Sequence, residues 1–529
     1  MNYKILVTDP LNEAGLKSLT ATNNMTVEVN TKLSESELFE QIKDADALLV
    51  RSQTQVTRRL IEQAPNLKII GRAGVGVDNI DLDAATENGI LVVNAPGGNT
   101  NSAAEHTMAM LMSLARNIPQ AYASLQNHEW DRKKYMGVEV KGKTLGVIGF
   151  GKIGAEVAHR AKGQRMEVIA YDPFMTEEKA DKLGIKAGSI DDILECADFI
   201  TVHTPLIKQT KHLLNREAFA KMKDGVRILN CARGGIIEEA ALLEALESGK
   251  VAGAALDVFE EEPPFDSPLL KLPQVIATPH LGGSTIEAQE NVATDISQDV
   301  MKFFNGDAVE HPVNLPAMDK ETMHRLSPYF TLAEKLGEWI GHLASEGIRE
   351  IRLTACGEIA EGDLAPLTRH ATKGLLQRFI DEDVNDVNAL YLASLRDIAI
   401  QETKSTHSKE KANTLAVEVV SNAGVHSASG TFLKGIGPRI VEIDGYDADL
   451  EPNGHILLIR HNDKPGAIGR LGSLLGEYDI NIATMQVDRR GEGLEAMMLL
   501  TVDKHPDDAA LEGLQALPDI ESVFPIDFS

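Results

Sequence analysis

An α/β fold of doubly wound parallel sheets is predicted for most of this chain, followed by two smaller α/β domains. Three observations carry the prediction. Short apolar runs alternate with amphipathic helical stretches over residues 3–278. One strand, glycine loop, helix and strand follow each other at 144–172. Residues 455–528 run β-α-β-β-α-β, the order of a ferredoxin-like domain. Alternation of strand and helix implies parallel pairing, because a helical crossover returns the chain to the same end of the sheet.

The unit at 144–172 reads T-L-G-V-I-G-F-G-K-I-G-A-E-V-A-H-R-A-K-G-Q-R-M-E-V-I-A-Y-D. Its G-x-G-x-x-G spacing has a mechanical reading. Gly149 permits the tight turn, Gly151 lets the backbone approach a pyrophosphate, and Gly154 lets helix and strand pack closely. Free N–H groups at the helix start face the phosphate charge. Asp172 ends the second strand, 18 residues after Gly154, where an acid binds ribose hydroxyls and repels a 2′-phosphate. A Rossmann domain that takes NAD is therefore expected.

Before this unit, strands are predicted at 4–8, 27–29, 47–50, 67–70 and 91–93. Helical stretches lie between them, among them 34–42, opened by Ser34 with Glu37 three residues on, and 57–63. Ligands of such sheets bind at the carboxyl ends of strands, where Arg51 and Arg72 fall. The glycine cluster at 71–78 lacks a third glycine and an immediate helix, and is read as a substrate loop. Residues 95–99 break the alternation. A connecting helix at 102–115 follows, with Ala103, His106, Met110 and Leu114 on one side. His106 is read as a packed histidine rather than a catalyst. The basic stretch 130–134 reads as a solvated face or a further anion contact.

After the glycine loop, strands are expected at 199–202, 227–230, 254–258 and 275–278. Their carboxyl ends carry Thr204, the run Cys231-Ala232-Arg233-Gly234-Gly235, Asp257 with Glu262, and His280. A parallel sheet gathers its strand ends on one edge, so these distant residues are expected to form one site beside the nucleotide. Prolines at 312 and 316 mark a boundary. Within 318–450, helices are predicted at 326–343, 365–379 and 386–400, strands at 414–420 and 439–443, and a polar loop or strand edge at 402–410. The last stretch has predicted strands at 455–460, 481–487, 496–502 and 522–526, with helices at 467–478 and 506–516.

At 529 residues the chain suggests about three to four domains. A formal charge of −27 argues against nucleic acid, whose phosphates need basic patches. Three cysteines without a C-x-x-C pair fit a reducing compartment, and no metal site is expected. No basic leader with a cleavage site appears, and no apolar run reaches the ~18 residues of a membrane span. A soluble cytoplasmic protein is the expectation.

The runs G-R-A-G-V-G-V-D-N-I-D, G-F-G-K-I-G, N-C-A-R-G-G, A-L-D-V-F-E-E-E-P and T-P-H-L-G-G-S-T resemble the D-2-hydroxyacid dehydrogenase family. The C-terminal half resembles the intervening and ACT domains of that family's long form. The resemblance implies a substrate domain at 1–97 plus 282–315, an NAD domain at 98–281, an intervening domain at 318–450 and an ACT regulatory domain at 453–529. It implies His280 as acid/base, oriented by Glu262, with Arg233 holding the substrate carboxylate. It places NAD against Gly149, Gly151, Lys152, Ile153, Gly154, Asp172, Thr204, Cys231, Ala232, Arg233, Asp257, His280, Gly282 and Gly283. A small phosphorylated 2-hydroxy acid would meet Arg51, Arg72 and Asn99, with Arg132 reaching a neighbouring subunit of a homodimer or homotetramer. Cys231 is read as a small strand-end residue, not a nucleophile. His461, Asp463 and Asn481 match a regulatory L-serine site, with Asp463 where many members carry asparagine; Asp463 and Asn481 are expected on an adjoining turn and strand. A hydroxypyruvate or glyoxylate reductase, a non-catalytic NAD-sensing regulator and a pure amino-acid sensor are the alternative readings.

Overall fold

The computed structural model describes residues 2–344, 347–381, 383–405, 413–422, 424–489 and 495–528. Contacts group the chain into two compact units. One comprises Met1–Gln55, Ile70–Asn79 and Val93–Phe304; the other comprises Val56–Ile69, Ile80–Val92 and Asn305–Ser529.

The first sheet has strands β1 (Tyr3–Val7), β2 (Met25–Val29), β3 (Ala47–Val50), β4 (Ile69–Arg72) and β5 (Leu91–Asn94), in the order β2-β1-β3-β4-β5. Every residue of β3 is buried, as a continuous apolar run in a covered sheet should be. The box at Ser34 and Glu37 forms as expected, both partners closing the start of the helix Glu35–Gln41. The strand expected at 67–70 begins later, because the Leu67 N–H turns back to Ala64 O. It runs on to Arg72, which thereby becomes a strand-end residue.

The second sheet has β6 (Thr144–Ile148), β7 (Glu167–Tyr171), β8 (Lys186–Ala187), β9 (Phe199–Val202), β10 (Val226–Asn230), β11 (Val251–Leu256) and β12 (Val275–Ala277). Their order is β12-β11-β10-β9-β6-β7-β8, and each neighbouring pair is parallel. The winding reverses between β6 and β9, which opens a crevice at the carboxyl ends of these two strands. The two-residue β8 was not predicted, and β11 ends at Leu256, leaving Asp257 just beyond it. The connecting helix runs Thr100–Arg116.

The three loop glycines differ in what surrounds them. Gly149 sits at φ 94°, and a Cβ there would lie 2.7 Å from the His203 backbone. A Cβ on Gly154 would lie 2.1 Å from Gly149 O, so helix and loop touch only because Gly154 is bare. At Gly151 a Cβ would meet nothing within 4 Å, so the fold itself does not require a glycine there.

In the second unit, β13 (Glu350–Cys356), β14 (Ala399–Ser405), β15 (Thr414–Ser421), β16 (Gly424–Leu433), β17 (Gly437–Ile443) and β18 (Tyr446–Leu450) form a sheet ordered β14-β13-β15-β16-β17-β18. The helix Lys320–Leu343 lies on it, with Trp339 fully buried and stacked 6.0 Å from Phe528. The helix expected at 386–400 is corrected. It spans only Ala389–Leu395, because Asp397 turns left-handed at φ 55°, and residues 399–405 become β14, parallel to β13. Of the polar stretch 402–410, Glu402–Ser405 lies in this edge strand and 406–410 lies outside the described residues. The final sheet has β19 (His455–Asn462), β20 (Ile482–Arg489), β21 (Glu495–Val502) and β22 (Ile520–Asp527), ordered β20-β21-β19-β22 with all pairs antiparallel. That is the expected ferredoxin-like order.

The glycine geometry separates two variants. Gly151→Ala should melt like the unmodified chain yet lose dinucleotide affinity. Gly154→Ala should melt at lower temperature, by about 1–3 kcal/mol of overpacking strain. Thermal unfolding with and without NADH distinguishes the two.

Candidate active site

The turn after β12 carries His280. Its backbone is left-handed at φ 56°, a conformation that needs support in a non-glycine residue. The support comes from Asp257. Its carbonyl accepts the His280 N–H at 2.9 Å, and its carboxylate accepts the next two, Leu281 N–H at 2.7 Å and Gly282 N–H at 2.8 Å. The Thr278 hydroxyl donates to the same carboxylate at 2.6 Å, and His106 Nε2 lies 3.2 Å from it. Asp257 is only 1% exposed. Burial works against its charge, but His106, Thr278 and the Leu281 N–H outweigh burial and hold the carboxyl below its ordinary value.

His280 Nδ1 lies 2.9 Å from Glu262 Oε2, and the other Glu262 oxygen accepts the Phe259 N–H at 3.1 Å. Both ends of the pair are partly open, with side-chain exposures of 46% and 38%. With Nδ1 engaged, Nε2 is the nitrogen left for a ligand. Burial raises the Glu262 pKa, yet His280 and the Phe259 N–H more than offset it, and the group lies below its ordinary value. The stabilisation from this carboxylate is therefore present above the usual carboxylate range and is lost as pH falls through the lowered value.

Arg233 follows β10 on a turn fixed by buried Asn230, whose side chain donates to Arg233 O and accepts from Ala232 N–H. The ion pair of Arg233 is with Asp78 at 3.1 Å, not with Glu262. Asp78 belongs to the glycine cluster at 71–78. Cβ atoms at Gly74 and Gly76 would lie 1.8 Å from Arg72 and 2.0 Å from Arg233. Those glycines make room for guanidinium groups, which agrees with a substrate loop. Burial, then the charge of Arg233, lowers the Arg72 pKa to about 10, and its Nε is buried without a partner. Arg51 adds a third cation to the field around Arg72. Its loop hangs on Asp9, 1% exposed, which accepts the N–H groups of Arg51, Gln53 and Thr54 at 2.6–3.2 Å. Asn79 donates to the carbonyls of Arg51 and Thr54. Arg51 and Arg233 thus crowd the buried Arg72 guanidinium, with Asp78 and Asp9 as the nearby counter-charges.

At the crevice, Asp172 follows β7. One oxygen accepts the Phe150 N–H and the other the Phe174 N–H, both at 2.9 Å, and each keeps a lone pair for ribose. The Thr204 hydroxyl is buried without a partner, as is Asn99 Oδ1. Lys152 and Ile153 open the helix Lys152–Gly163. Asn99 lies against Gly283, and Gly282 against Asp257. These residues and the open face of Gly151 fit a dinucleotide. Burial pushes the Cys231 thiol up to about 12, so it is no nucleophile at neutral pH. His106, read as merely packed, sits 3.1 Å from the Thr278 hydroxyl behind Asp257. Arg132 is exposed and, among the described residues, joins none of these contacts.

In the last sheet His461 is 1% exposed, its Nδ1 3.0 Å from Asn462 O and its Nε2 buried without a partner. Asp463 pairs with Arg489 at 3.0 Å. Asn481 is exposed and donates its N–H to Asp503. The expectation that Asp463 and Asn481 lie on an adjoining turn and strand is corrected for a single copy; a site between two copies, as the resemblance implies, does not need them adjacent in one chain. Strand β21 lies between β19 and β20, and Arg489 and Asn462 sit at one end of it, Ile482 at the other. Eight strand residues separate the two positions, roughly 25 Å. One copy of the chain cannot place both on one small ligand.

Sequence profiles match in three places. Residues 108–282 match the NAD binding domain of D-isomer specific 2-hydroxyacid dehydrogenases. Residues 325–444 match the D-3-phosphoglycerate dehydrogenase intervening domain, and 455–519 match the ACT domain. The D-3-phosphoglycerate dehydrogenase of Bacillus subtilis is 47% identical over 99% of both chains. That of Methanocaldococcus jannaschii is 46% identical over 98% of this chain and 99% of its own. Among solved structures, D-lactate dehydrogenase from Aquifex aeolicus, complexed with NAD and lactic acid, is 30% identical with a TM-score of 0.52, covering 57% of this chain and 96% of that one. By near-full-length likeness and by three matching profiles in the same order, this chain belongs to the D-3-phosphoglycerate dehydrogenases, in the long form of the D-2-hydroxyacid dehydrogenase family.

Proposed function

We propose that the chain oxidises 3-phospho-D-glycerate to 3-phosphohydroxypyruvate with NAD, the first step of phosphorylated L-serine synthesis. The observation that carries this reading is the pair His280–Glu262 on the same carboxyl edge of the sheet as the glycine loop, with an arginine cluster for a doubly charged substrate. NAD, when bound, accepts the hydride from the carbon that bears the hydroxyl. His280 Nε2 takes the hydroxyl proton, and Glu262 steadies the imidazolium through Nδ1. Arg233 holds the carboxylate and polarises the forming carbonyl, exchanging its exposed partner Asp78 for the substrate. Arg51, Arg72 and Asn99 receive the phosphate end. Asp172 selects NAD over NADP. Asp257 holds the turn and has one lone pair of Oδ2 for the nicotinamide amide.

The division of labour follows the predicted boundaries: 1–97 with 282–315 for substrate, 98–281 for NAD, 318–450 intervening and 453–529 regulatory. Cytoplasmic location accords with three free cysteines. No helix among the described residues is long and apolar enough to cross a membrane. A homodimer or homotetramer accords with the exposed stripe Ile118, Tyr122 and Leu125 on one helix, near Trp130 at 78% exposure. Arg132 of that segment would serve a neighbouring subunit's phosphate site.

His280→Ala should lower kcat at least about 10²-fold while NADH still binds. Arg233→Ala should damage both kcat and KM. Steady-state kinetics with 3-phosphohydroxypyruvate and NADH, together with a fluorescence titration of NADH, test this; near-normal rates would discard the roles.

Arg51→Ala and Arg72→Ala should lose most activity toward the phosphorylated acid but retain more toward 2-oxo acids with uncharged tails. Parallel assays on both substrate types check it, and equal losses would move the phosphate site elsewhere.

L-serine should inhibit by lowering kcat more than it raises KM. Since Asp463 and Asn481 stand far apart in one copy, the site is proposed between two ACT domains, built from opposite ends of two sheets. Asp463→Ala or Asn481→Ala should relieve inhibition with basal rate intact. Calorimetry that detects no serine binding to the full-length chain would reduce the domain to assembly.

A further inference from the structure

We propose that His106 is a positioning residue for the proposed acid/base, acting through Asp257 to hold the turn that aims His280. The inference rests on the reading of His280 given above. His106 projects from the helix Thr100–Arg116, an element separate from every strand that carries the site residues. Its Nε2 lies 3.1 Å from the Thr278 hydroxyl and 3.2 Å from Asp257 Oδ1. Thr278 spends its own proton on Asp257 at 2.6 Å, so both neighbours of Nε2 are acceptors there. The nitrogen therefore carries the proton and shares it between them. His106 is the outermost donor of a chain that ends at His280.

That chain is tight where it matters. Asp257 Oδ1 receives Leu281 N–H, Thr278 hydroxyl and His106; Oδ2 receives Gly282 N–H. The Ser102 hydroxyl, on the same helix as His106, donates to Gly282 O at 2.8 Å. The helix thus grips the turn twice, once at its carbonyl and once through the carboxylate. With His106 removed, Oδ1 keeps a mobile hydroxyl and a backbone N–H, and the carboxylate can rotate. The left-handed residue between its anchors then loses its fixed direction. The arginines that bind the substrate lie on other strands, so binding should survive while proton transfer suffers.

The test uses the full-length chain. His106→Ala should cut kcat by about tenfold or more, the scale of a misaligned reacting group, with KM for the phosphorylated acid little changed. His106→Gln places an amide N–H near the lost Nε2–H and should restore most of kcat. Thr278→Val should also lower kcat, and its effect should not multiply with that of His106→Ala, since both act on Oδ1. Melting temperatures are read for each. Wild-type kcat in His106→Ala overturns the proposal. So does a glutamine variant as slow as the alanine variant when both are folded. If the alanine variant does not fold, full activity in Thr278→Val overturns it instead, and a slow Thr278→Val with an active His106→Gln supports it. His280→Ala run alongside separates the cases: a fast His280→Ala removes the underlying reading, whereas a slow one with a normal His106→Ala removes only this inference.

Discussion

A carboxylate taken out of water costs several kcal/mol unless both its oxygens are hydrogen-bonded. Asp257 meets that condition at the edge of the seven-stranded sheet, and the groups that meet it are the backbone of the turn bearing His280. Charge solvation and site geometry are thus one and the same. The carboxylate can stay buried only while the turn keeps its shape, and the turn can keep a left-handed histidine only while the carboxylate stays. Asp9 repeats the device at the other end of the proposed substrate site, where a buried carboxylate organises the backbone beneath Arg51.

The sequence made the edge that carries the candidate site legible because parallel topology is a strong rule. Once alternating strands and helices are recognised, the residues just after each strand must share an edge, and Thr204, Arg233, Asp257 and His280 did so. The glycine loop was legible for the same reason, as each glycine answers a steric demand. Pairings were not legible. Nothing in the spacing assigns Asp78 rather than Glu262 to Arg233, or sets His106 behind Asp257, since these depend on side-chain directions from separate elements. Asn230 and Asp9 are polar residues at strand ends, with no spacing that sets them apart. Only their burial identifies them.

The C-terminal sheet resisted for a different reason. Strand β16 buries Ala428 and Gly430 where strands commonly bury large apolar residues. A Cβ at Gly430 would lie 2.6 Å from Leu332, so the helix above presses on bare backbone and erases the hydrophobic alternation that marks a strand. At 386–400 a helical pattern ran past a left-handed aspartate into a strand. In the last domain, strand order carried the lesson: two residues that adjoin in the pattern stand at opposite ends of a sheet once a third strand is placed between theirs.

The grouping of contacts has a further meaning for the loop that holds Arg72. Residues Ile70–Asn79 pack with the dinucleotide-binding unit, whereas the segments on either side, Val56–Ile69 and Ile80–Val92, pack with the C-terminal unit. Asn385 donates to Gly89 O, and Asn314 serves Val92, Thr86 and Ile90. The loop that holds Arg72 is therefore grouped with one unit, and the two segments that flank it in the chain are grouped with the other. A chain cut after the first three hundred residues would lose Asn314 and Asn385, the side chains that hold the backbone of the segment Ile80–Val92.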